Sequence, residues 1–253
     1  TIQGNRVTGI VTARHHPFDI TCQMVAICTN RRLGTPREVY FVGERTDYLG
    51  QVRRGLARDA SGLAWRGQHV LIIGMGAFAV ENMRTALEHG AVTVSFVCRR
   101  RGTVCPQIVD WVNFIRPFDD ALQQSKEGDA AILRSWQGVY RAAGAHRPEC
   151  WAKGVLKADG HTISVSDLFF IAHRTGLVTS QLDEVQRFTR SGVRTMKDHQ
   201  MDATVVIKCV GFDANASNER LVGRSHMRAP GLVHRDMWLL GEPHFDKEAL
   251  ASP

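Results

Sequence analysis

The sequence predicts an α/β fold centred on a parallel sheet, and three observations carry that expectation. A run at 69–73 that is apolar at successive positions and a strand-like run at 92–98 flank a helical stretch at about 77–89. A third run of the same kind lies at 204–209. Strands apolar on both faces belong inside a covered sheet, which is where parallel strands are found. Finally, the turn between the first strand and the helix is glycine-rich, Gly74-Met75-Gly76-Ala77-Phe78-Ala79, as a tight strand-to-helix connection requires.

Taken in order, residues 5–29 read as strand, turn, strand, then a buried strand at 24–28 closed by Thr29 and Asn30. Residues 183–212 repeat that pattern as a hairpin of two alternating strands, followed by the apolar strand 204–209 and by Val210-Gly211-Phe212. Between the copies lies the βαβ unit. In its helix Phe78, Val80, Met83 and Leu87 are available for packing, and Gly90 supplies the stop. The middle region, 103–182, carries helical segments at 105–124 and 128–145. The second of these sets Ile132, Trp136, Val139 and Tyr140 at helical spacing. A further helix in 164–177 has Ser164 or Ser166 as its cap.

The glycine-rich turn has a functional reading. A Gly74-x-Gly76-x-x-Ala79 pattern that ends a strand and opens a helix is the phosphate-binding turn of a Rossmann-like unit. Its first glycine makes the turn, its second lets the backbone approach a pyrophosphate, and Ala79 permits close helix–strand packing. The helix N-terminus adds unpaired N–H groups and a positive dipole end. Gly74, Met75, Gly76, Ala77, Phe78 and Ala79 are therefore candidate cofactor-binding residues.

The end of the second strand selects the dinucleotide. An NAD site places an acid there for the ribose hydroxyl, whereas this chain has Arg99-Arg100-Arg101 and no acid. Guanidinium forks suit a 2′-phosphate. Arg99 and Arg100 are thus the expected clasp of NADP(H), with Arg101 assigned to the solvated turn.

Composition sets bounds on the rest. The 253 residues are 43% hydrophobic and 23% charged, as in an ordinary globular protein. The longest uncharged apolar run, 70–80, is far shorter than the roughly 20 residues of a transmembrane span. The net charge of +7 suggests anionic partners, but the arginines form short clusters without interleaved aromatics, so nucleic acid is not an expected partner. Six cysteines show neither a C-x-x-C nor a zinc spacing, and Cys28, Cys98 and Cys209 fall in strand-like runs as small core residues. That pattern fits a reducing, cytoplasmic setting without metal. His146 with Cys150 makes no convincing metal site, and His15, His16 and His173 read as loop and packing residues. No catalytic acid, base or nucleophile stands out.

On these residues the chain resembles the flavin-containing monooxygenases and their Baeyer–Villiger relatives. The stretch 68–101 resembles the family's NADPH fingerprint and phosphate clasp, and 209–212, Cys-Val-Gly-Phe, stands where the family has A-T-G-Y. The family's F-x-G-x-x-x-H appears as Tyr48-Leu49-Gly50-Gln51-Val52-Arg53-Arg54, with arginine in place of histidine. The resemblance implies a two-dinucleotide flavoprotein architecture, a Rossmann-like NADP-binding domain inserted in the remnant of an FAD-binding domain. It assigns 1–44 to a partial FAD domain, 45–203 to the NADPH domain with a helical insertion, and 204–253 to the return into the FAD domain. It adds Gly211 to the cofactor-binding residues and FAD to the cofactors.

The implied activity is that of a flavin-dependent NADPH monooxygenase. NADPH reduces FAD, O₂ reacts with the reduced flavin, and one oxygen atom passes to a small organic substrate. Among the 23 glycines there is only one G-x-G, so the FAD fingerprint is expected upstream of Thr1 and the chain is expected to act as part of a longer one. The alternatives are a pyridine-nucleotide flavoprotein reductase, which a C-x-x-C dithiol would favour, and a catalytically inactive nucleotide-binding module.

Overall fold

The computed structural model describes residues 2–3, 6–11, 13–21, 35–56, 60, 62–112, 126–157, 162–213, 233–234 and 237–238. They divide into two compact units, one of residues 38–210 and the other of 1–37 with 211–253. In the second of these, β1 (Ile2–Gln3), β2 (Arg6–Val11) and β3 (His16–Thr21) form an antiparallel sheet. The strand–turn–strand expected at the start of the chain is therefore present; the run at 24–28 lies outside the described residues. β4 (Thr35–Pro36) pairs with β15 (Phe212–Asp213) in the same unit.

The unit of residues 38–210 is built on a five-stranded parallel sheet. Its strands are β5 (Gln51–Arg54), β6 (His69–Ile73), β7 (Thr93–Cys98), β10 (Val178–Leu182) and β14 (Val205–Lys208), in the order β10-β7-β6-β14-β5. Successive side chains of a strand point to opposite faces, and the central strands are apolar on both. Val70, Ile72, Val94, Phe96, Val205 and Ile207 pack into one core, whereas Leu71, Ile73, Val97 and Val206 pack into another.

The first core lies under helices. α1 (Ala77–Glu88) connects β6 to β7, as the motif predicts. α2 (Gln107–Val112) and α3 (Lys126–Ala143) occupy the middle region, and α4 (Asp167–Arg174) precedes β10. Trp136 and Tyr140 are fully buried, as their helical spacing implies. Ser166, not Ser164, caps α4 by accepting from the Phe169 N–H at 3.3 Å. In α1 the packing residues are Ala79, Val80, Met83 and Ala86, with Leu87 at the margin; Phe78 is exposed, contrary to the packing role expected of it.

The second core lies under an antiparallel meander of β11 (Val185–Phe188), β12 (Gly192–Thr195) and β13 (Gln200–Asp202). The two-stranded hairpin expected in this stretch has a third strand. Gln200-Met201-Asp202 is polar, and it is cross-strand pairing to β12 that makes it extended. Phe188 and Val193 face the sheet and are buried. The layers are thus helices, parallel sheet and meander.

The two units divide at 37/38 and 210/211, where the sequence reading put the boundaries at 44/45 and 203/204. The strand at 204–209, expected in the returning domain, is β14, and it hydrogen-bonds between β6 and β5 inside the sheet that carries the motif. Its apolar alternation matches both cores, which is the physical reason for its central place.

Candidate dinucleotide-binding site

The motif forms at the C-terminal edge of the sheet, where open α/β folds bind ligands. Gly74 follows β6 with φ +104°, a conformation that favours glycine, and an added Cβ would lie 2.3 Å from the Cys209 carbonyl oxygen. Its N–H donates to the Val97 carbonyl at 2.8 Å. Gly74 thus lets the ends of β6, β7 and β14 converge.

Gly76 behaves differently. Its φ of −99° and ψ of −171° suit any residue, and among the described residues nothing lies within 4 Å of an added Cβ. Neither backbone nor packing calls for glycine here. The position is open to a group from outside the chain.

Such a group would meet the start of α1. This helix has no side-chain cap and no acid in its first turn. The N–H groups of Ala79 and Val80 donate to the Gly76 carbonyl at 3.0 and 3.1 Å. That of Ala77 precedes these bonds, at the positive end of the helix. Met75 is buried against Cys98, and Ala79 is fully buried against the sheet, as close helix–strand contact demands.

β7 runs parallel beside β6, with Val97 opposite Ile73. Adjacent strands lie about 4.8 Å apart, so Arg99 leaves the sheet beside the Gly74 turn. Arg99 and Arg100 are exposed, and among the described residues neither makes an ion pair. Arg101 is not the solvated residue expected of it. Its side chain is only 12% exposed, and its Nη1 donates to Glu149 Oε1 at 2.5 Å. Its backbone N–H donates to Glu149 Oε2 at 2.9 Å.

Several supporting residues carry no motif and escape sequence reasoning. Gly102 is buried, and an added Cβ would lie 2.0 Å from the Met75 carbonyl oxygen. The loop after the arginines therefore rests on the glycine-rich turn. A glycine closing the exit loop of the neighbouring strand was the one available signal. Buried Asn82 donates to the carbonyls of Phe78 at 2.7 Å and Gly55 at 3.2 Å, tying the first turn of α1 to the loop after β5. Burial pushes the thiols of Cys98 and Cys209 up to about 12, so both stay neutral and serve as packing groups, as read from the sequence.

The remaining candidates lie elsewhere. Gly211 belongs to the unit of residues 1–37 and 211–253; its φ is +91°, and its carbonyl accepts from the Arg37 N–H at 3.0 Å. Buried Tyr48, which opens the altered F-x-G-x-x-x-H stretch, donates its O–H to the Ala203 carbonyl at 2.9 Å. His173 packs on the Phe169 ring, and burial pushes its pKa down, as for a neutral packing group. Among the described residues no group of His, Cys, Asp or Glu could hold a metal ion. No described helix is long and apolar enough to cross a membrane.

A scan against models of protein families finds no match, and neither does a search of curated proteins. Solved structures do resemble the chain. OTEMO in complex with FAD and NADP matches with a TM-score of 0.53 at 16% identity over 81% of this chain. Oxidized steroid monooxygenase bound to NADP matches with a TM-score of 0.53 at 11% identity over 82% of it. Cyclohexanone monooxygenase bound to ε-caprolactone gives 0.51 at 14% identity over 76%. The chain spans about half of each of these proteins, 50%, 49% and 49% in turn. At such identities the likeness shows the fold: the chain has the fold of flavin monooxygenases of the Baeyer–Villiger type.

Proposed function

We propose that the chain is the NADPH-binding part of an FAD-dependent monooxygenase that transfers one oxygen atom from O₂ to a small organic substrate. One observation carries the NADPH assignment. The open Cβ position at Gly76 and the uncapped start of α1 stand beside a strand end that offers exposed arginines and no acid. The fold shared with solved monooxygenases, two of them bound to NADP, supports the wider reading.

The residues fit the nucleotide. Gly76 would admit the pyrophosphate, and the N–H group of Ala77 at the helix start would donate to its oxygens. Arg99 and Arg100 would take the 2′-phosphate through charge-assisted bonds. The buried Met75 and Ala79 fix the turn and exclude water beneath it. Bound NADPH would supply a hydride for the flavin. We assign the glycine-rich turn to the NADPH phosphates, and Gly211 is proposed on the flavin side from its place after β14.

Calorimetric titration with NADPH and NADH at one moderate salt concentration tests the assignment. A charge-assisted hydrogen bond is worth about 1.5–3 kcal/mol, so the clasp should favour NADPH by roughly tenfold or more. Arg99→Asp should reverse the preference by repelling the phosphate and offering the ribose an acceptor. Equal affinities in the parent protein, or an unchanged ratio in the variant, would overturn the NADPH assignment. Fixed salt matters because a general basic surface also favours the more highly charged nucleotide.

A further inference from the structure

We infer that the Arg101–Glu149 pair is a positioning brace that gives the exposed arginines their selectivity for a 2′-phosphate; this rests on the NADPH reading above. Arg99 and Arg100 are exposed at the end of β7, and long cations on a loose loop lose much of their binding energy to ordering. The chain is anchored at the next residue. Arg101 is held twice by Glu149, through its backbone N–H at 2.9 Å and its guanidinium at 2.5 Å. Gly102 then lies on the Met75 carbonyl. Thr103 donates to the Leu156 carbonyl at 2.7 Å, and the Val104 N–H donates to the Tyr140 hydroxyl at 2.8 Å.

Glu149 opens a short 3₁₀ helix, Glu149–Lys153, whose buried Trp151 donates to the same Leu156 carbonyl at 3.0 Å. The brace thus ties the arginine loop to a packed wall. It also has an electrostatic side. Arg101 neutralises a carboxylate beside the clasp that would otherwise repel a phosphate, leaving Arg99 and Arg100 as the uncompensated charges.

The test uses the full chain, with NADPH and NADH as probes. The double variant Arg101→Met/Glu149→Gln removes the pair without changing net charge, so a change in ratio reports positioning alone. NADPH affinity should fall about tenfold with NADH affinity unchanged. Arg101→Lys keeps the charge but replaces the rigid planar guanidinium with a flexible ammonium, and should lower the ratio about threefold. This second variant decides the matter if the first fails to fold. A parent protein without NADPH preference would refute the underlying reading. A parent with the preference, and variants that keep its ratio, would overturn the brace alone.

Discussion

At the scale of single residues, two glycines two positions apart serve opposite ends. Gly74 is required by its backbone and by the Cys209 carbonyl, so Gly74→Ala should destabilise the fold by about 1–3 kcal/mol or more, measured by urea denaturation. Gly76→Val meets open space. It should leave the denaturation midpoint nearly unchanged and abolish NADPH binding in a calorimeter. A variant that binds as the parent does would remove Gly76 from the site. Asp183 gives a pH dependence. Burial alone would raise its pKa, but the Thr195 hydroxyl, the N–H groups of Glu184 and Lys197, and His199 together outweigh that and hold it at about 2, below the ordinary 3.8. A lowered folded pKa contributes stability above the unfolded value, lost as pH falls through the folded one. Urea midpoints should therefore drop between about pH 4 and pH 2, and Asp183→Asn should flatten that decline.

Among the elements, α4 is the helix whose boundary is set by one side chain. Ser166 accepts from the Phe169 N–H, and Phe169 and Phe170 bury the helix against α3 and the sheet. Ser166→Ala should cost about 1 kcal/mol in chemical denaturation without altering nucleotide affinity. α1 has the reverse design: it lacks a cap where a ligand would supply one. The helix start at 77, a helix capped by Ser164 or Ser166, the strands at 69–73 and near 93–98 and the helical placement of Trp136 and Tyr140 were legible in sequence, because each rests on local periodicity or turn chemistry. The polar strand β13 was not, since only its pairing with β12 makes it extended.

For the whole molecule, the place of β14 sets the minimal folding unit. It fills the gap between β6 and β5 and contributes Val205, Val206 and Ile207 to both cores. A polypeptide of residues 38–210 should fold with a cooperative thermal transition. One ending at residue 203 should not, because it loses a central strand and both adjoining ladders. Equal cooperativity in the two would show that the sheet closes without β14.

The sequence by itself determined the βαβ unit, its glycine-rich turn and the arginines that follow β7, because glycine geometry, apolar alternation and the lack of an acid are local properties. The tertiary structure alone decided which arginine is braced and which are exposed. Glu149 lies 48 positions from Arg101, and no periodicity or spacing reports such a contact. The same holds for β14: its alternation marks a strand covered on both faces, but only hydrogen bonding to β6 and β5 says in which sheet it is covered.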